Sequence, residues 1–80
     1  MVNSANILQT LALKYQAKRA EAMTNLNIYF TSPVGVGEHP NVVDECDKLV
    51  KTIGDCDGNL EVIKRLSEQM NEENRQNTKE

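Results

Sequence analysis

The sequence predicts an all-α protein, an antiparallel two-helix hairpin with long helices over about 4–30 and 40–73. Three observations carry that expectation. In the second half Val42, Cys46, Leu49, Ile53, Cys56, Leu60, Ile63 and Met70 fall on one frame of alternating three- and four-residue steps, interrupted only by Ser67. In the first half Leu8, Ala12, Tyr15, Arg19, Ala22, Leu26 and Tyr29 keep the same steps. Between the two, both prolines and two of the four glycines of the chain gather in Thr31–Pro40, a connector composition.

The first helix is read from about Ser4. Ser4 or Asn6 offers a side-chain oxygen to the orphan N–H groups of the first turn. The middle, Ala17 to Ala22, is alanine-rich and strongly helix-forming, and its small side chains let a partner helix come close. Asn25 to Phe30 is β-branched and aromatic enough to read as a strand, but a single strand has no mate in this chain. The helix is therefore extended to about residue 30.

In the connector, Ser32 and His39 each precede a proline and are held in extended geometry. Pro40 suits a first helical position, where its missing N–H costs nothing. Asp44, Glu45 and Asp47 follow in the first turns, where negative charge complements the helix dipole. The second helix must then cross Gly54 and Gly58, each about 1 kcal/mol worse than alanine in a helix interior. Asp55–Asn59 could instead form a turn, giving a three-helix bundle with a break at 54–59. The apolar frame runs through the glycines without a change of phase, and a turn has no reason to preserve phase. One continuous helix is preferred. Residues 1–70 are assigned to a single hairpin domain and 71–80, without any apolar side chain, to a disordered polar tail.

Two long helices and a short loop lie antiparallel. Folding about Gly35 places Tyr15 near Cys56, Leu26 near Cys46 and Leu8 near Ile63. Charge supports that direction. Residues 1–37 carry Lys14, Lys18 and Arg19 against Glu21, whereas residues 38–80 hold eleven acids. The fold sets the three cations beside Asp55, Asp57 and Glu61.

A chain of 80 residues with one phenylalanine, two tyrosines and no tryptophan has little with which to build a core. Flanking the seams, Val43, Val50 and Leu66 on one helix and Leu11, Met23 and Phe30 on the other widen each apolar stripe beyond what two helices cover. These six, with Val34, Val36 and His39 of the connector, are the candidate partner-binding residues. The expected arrangement is self-association into a homodimeric four-helix bundle, or docking on another protein.

Other chemistries find weak footing. His39 is the lone histidine, and a Cys–His nucleophile with Cys46 lacks a third, orienting group. His39, Cys46 and Glu38 lack the paired spacing of a metal site. Asp55-x-Asp57-Gly58-Asn59 resembles a calcium loop only superficially, because its first and twelfth ligands would be Ile53 and Lys64. Gly35-Val36-Gly37 has no preceding strand and no following lysine, so no phosphate cradle is assigned. No catalytic residue, cofactor or metal is expected. With a net charge of −3 and no run of about 18 apolar residues, neither a nucleic-acid surface nor a membrane span is favoured, although Lys14, Lys18 and Arg19 supply the alternative of nucleic-acid association. Cys46 and Cys56 lie about 15 Å apart along a helix, too far to bridge, and the N-terminus lacks a basic leader. A cytoplasmic location is expected.

The segment Tyr29-Phe30-Thr31-Ser32-Pro33-Val34-Gly35-Val36-Gly37-Glu38-His39-Pro40, followed by Asp44-Glu45 and a heptad helix, resembles small helical proteins of large contractile-tailed phages, including cyanophages. The likeness covers roughly residues 11–66. It implies a viral protein acting in the cytoplasm of a bacterial host, and brings no site residues with it.

Overall fold

The computed structural model describes the backbone of residues 3–31 and 41–78, and the side chains of those residues up to Glu73. Two α-helices make up the described chain: α1, Ser4–Thr31, and α2, Val42–Thr78. They pack against each other as an elongated hairpin of 66 × 21 × 16 Å.

Asn3, not Ser4 or Asn6, caps α1. Its Oδ1 accepts the Asn6 N–H at 2.8 Å, while its carbonyl accepts the Ile7 N–H at 3.0 Å and so opens the helical ladder. All three residues are short and polar, so composition alone does not separate them. At the other end the Thr31 hydroxyl donates to the Asn27 carbonyl at 2.8 Å, within the last turn. The β-prone run Asn25–Phe30 is helical, as the spacing of Leu26 and Tyr29 requires.

α2 opens at Asn41, whose carbonyl accepts the Glu45 N–H at 3.0 Å, and carries Asp44 and Glu45 in its first turn. Pro40 lies outside the described residues. The helix passes unbroken through Gly54–Asn59, so the three-helix alternative does not hold. Neither glycine is there to make room: a methyl group at Gly54 or Gly58 would meet nothing within 4 Å. The helix also runs on to Thr78, past the end expected near 73. Residues 71–78 contain neither glycine nor proline, and Glu, Arg and Gln favour helix without any apolar side chain among them.

The core is a line, not a volume. Ala22, Leu26, Cys56 and Ile63 are buried, and the other seam residues, from Leu8 to Tyr29 and from Val42 to Met70, are half-buried. Ser67 keeps its place on the seam despite its hydroxyl. Of the alanines in the middle of α1 only Ala22 faces α2, whereas Ala17 and Ala20 face outward.

The register of the two helices differs from the expected one by about one helical turn. Tyr29 shares a cleft with Glu45, Lys48 and Leu49, and Ala12 shares one with Ile63 and Ser67. Leu26 therefore sits closer to Leu49 than to Cys46. A seam of similar aliphatic residues has nearly equal burial after a slip of one turn, so hydrophobic spacing cannot select between the two. A polar contact marks the register adopted: Arg19, at a seam position, meets Asp57 with Nε to Oδ1 at 2.6 Å. Among the described residues this is the one ion pair joining the helices. The other three, Glu45–Lys48, Asp47–Lys51 and Glu61–Arg65, lie within α2.

Candidate functional site

Antiparallel pairing gives the hairpin two flanks, and the heptad frame assigns each side chain to one of them. Met23 and Phe30 directly follow the seam residues Ala22 and Tyr29; Val43 and Val50 directly follow Val42 and Leu49. In an antiparallel pair these like positions meet on one side of the molecule. Leu11 and Leu66 directly precede seam residues and fall on the opposite side. The clefts agree with this division. Asn25 and Glu45, both preceding seam residues, line one cleft, and Leu66 lines another with Ser4, Ile7, Leu8 and Met70.

The six flank residues expected from sequence thus form two patches, not one. The first comprises Met23, Phe30, Val43 and Val50, in the half of the hairpin nearer the connector. These side chains are 43%, 70%, 81% and 55% exposed. The second holds Leu66, exposed, and Leu11, half-buried, in the half that contains Ser4. Sequence reasoning missed Ile7 and Val62, both exposed, which extend that second patch. They sit one further helical step from the seam, and only the pairing of the helices shows that they border Leu11 and Leu66. Leu13 and Ile28 are also exposed, away from both clusters. The connector candidates Val34, Val36 and His39 lie outside the described residues.

The flanks differ in how far they are closed. On the second side Leu11, Glu45 and Thr52 are half-buried against the neighbouring helix, whereas the apolar four on the first side stay open to water. A groove lined by Met23, Thr24, Leu26, Asn27 and Phe30 runs along α1 on that open side. Water-facing valine and phenylalanine side chains are unfavourable in proportion to their apolar area. These two valines and one phenylalanine, with Met23, stand two to a helix and two turns apart, and form a surface fitted to apolar contact.

Polar chemistry is sparse by comparison. No charged or polar side chain is buried among the described residues, and no group of three His, Cys, Asp or Glu there is placed to hold a metal ion. Cys46 is half-buried, Cys56 is buried, and both are free thiols. No described helix is long and apolar enough to cross a membrane. Lys14 and Lys18 are exposed, on turns of α1 adjoining Arg19.

No family model, curated protein or solved structure matches this chain.

Proposed function

We propose that the protein works by association with protein through the apolar flanks of its helical hairpin. The observation that carries this reading is the open patch of Met23, Phe30, Val43 and Val50 on a molecule whose core holds only four buried residues among those described. Covering such a patch supplies apolar burial that two helices cannot provide for themselves. A helical surface with apolar side chains at three- and four-residue intervals is the complementary shape. The hairpin acts as a docking element, either toward a second copy as a four-helix bundle or toward a larger protein. In a phage setting that protein would belong to the phage or to its bacterial host.

The test is photo-crosslinking in cells from a benzophenone side chain placed at Val43, with Thr10 on the polar face as the control position. Protein adducts from Val43 that are absent from Thr10 are the expected result. Adducts of equal yield from both positions, or from neither, would remove the apolar flank as the contact surface.

A further inference from the structure

We infer that the open flank takes a second copy of this chain, giving a two-fold four-helix bundle with both connectors at one end and Phe30 of each copy set between Val43 and Val50 of the other. The inference rests on the association reading above and specifies the partner and its orientation.

Surface area is the first support. The four flank residues together present roughly 400 Å², about half of what one partner contributes to a standard stable interface.

Self-complementarity is the second support, and it fixes the orientation. In the register marked by Arg19 and Asp57, Phe30 lies at a height between Val43 and Val50, Met23 between Val50 and Asp57, Gln16 between Asp57 and Lys64, and Gln9 between Lys64 and Asn71. A two-fold axis along the length of the hairpin preserves height and exchanges α1 for α2. Phe30 of one copy then reaches between the partner's Val43 and the partner's Val50, and Met23 reaches the partner's Val50, large side chains against small branched ones. Farther along, Gln16 falls between the partner's Asp57 and the partner's Lys64, and Gln9 lies beyond the partner's Lys64, so no like charges oppose. A two-fold axis across the hairpin inverts height instead. That would lay the apolar half over Gln9, Gln16, Asp57 and Lys64 of the other copy, leaving apolar area on charged groups. Only the arrangement with both connectors at one end matches apolar with apolar along the whole flank.

Sedimentation equilibrium on the full chain tests this with a charge pair divided between copies. The wild type is expected at twice the 9.0 kDa chain mass. Phe30→Glu and Val43→Lys are each expected to weaken the dimer on the order of 100-fold, since each buries an unpartnered charge. Both substitutions fall at exposed positions, and circular dichroism checks that each variant stays helical. Mixed in equal amounts, the two variants are expected to recover a dimer, because one copy's Glu would meet the other's Lys. Leu66→Glu on the opposite flank is expected to leave the dimer intact. A dimer that survives Val43→Lys, or a mixture that stays monomeric, overturns the inference. If Leu66→Glu alone dissociates the dimer, association stands and this flank assignment falls. A wild type that stays monomeric at about 100 µM removes the second copy as occupant, while crosslinks from Val43 to another protein would keep the association reading.

Discussion

Replacing Gly54 and Gly58 by alanine should stabilise the protein, and the size of the gain follows from where the two glycines sit. Both lie inside an unbroken helix, both are exposed, and a Cβ at either would touch nothing within 4 Å. The only terms left are intrinsic. Glycine has more backbone freedom to lose than alanine, which places each substitution at about 0.5–1 kcal/mol in favour of the folded state. The pair should therefore contribute about 1–2 kcal/mol, a rise in Tm of roughly 5–15 °C for a domain of this length. The sites are four residues apart, so small departures from additivity are expected. Urea unfolding followed by far-UV circular dichroism, at one fixed chain concentration, separates this from a change in association. The midpoint should rise with the slope unchanged. Loss of stability in either variant would refute the reasoning, because it would mean that the backbone at 54–58 needs a conformation only glycine adopts easily, and α2 would not be continuous.

The remaining expectations concern the seam. Leu26→Ala and Ile63→Ala, at two of the buried positions, should each cost about 2–4 kcal/mol in the same unfolding assay, against no more than about 0.5 kcal/mol for exposed Leu13→Ala. A double-mutant cycle on Arg19 and Asp57, whose side chains are 41% and 53% exposed, should give a coupling of at most about 1 kcal/mol that shrinks in high salt; a larger, salt-independent value would point to a desolvated pair. Native thiol titration should modify Cys46 well before Cys56, which is only 2% exposed, with the two rates converging in urea; equal native rates would contradict the buried placement of Cys56.

Most of the architecture was legible because one physical signal dominates it. Apolar residues three and four apart lie on one helical stripe, and every seam position from Leu8 to Tyr29 and from Val42 to Met70 is buried or half-buried. Phase continuity across Gly54 and Gly58 correctly outweighed their poor helix propensity. Three features were less legible, each for its own reason. The cap fell to Asn3 because Asn3, Ser4 and Asn6 are chemically interchangeable there. The end of α2 at Thr78 followed from propensity alone, with no apolar residue to announce it. The register was the hardest, since a repeating seam accommodates a slip of one turn and the contact that marks the choice is a single arginine–aspartate pair. For the candidate site, the flanking residues were visible in the spacing, but their division into two patches was not. That division depends on which sides of the helices meet, information held by the pairing and not by either helix alone. Ile7 and Val62 went unnoticed for the same reason.

The unbroken repeat also restricts how such a chain can change in length. One extra residue between Val42 and Met70 would turn everything beyond it by about 100° and swing the interlocking side chains past that point off the seam. A block of seven would leave the phase intact, displacing the far end of α2 by about 10 Å. Insertions and deletions in this molecule should therefore be tolerated as whole repeats, ideally matched on both arms, whereas the stretch between the arms is exempt from that arithmetic.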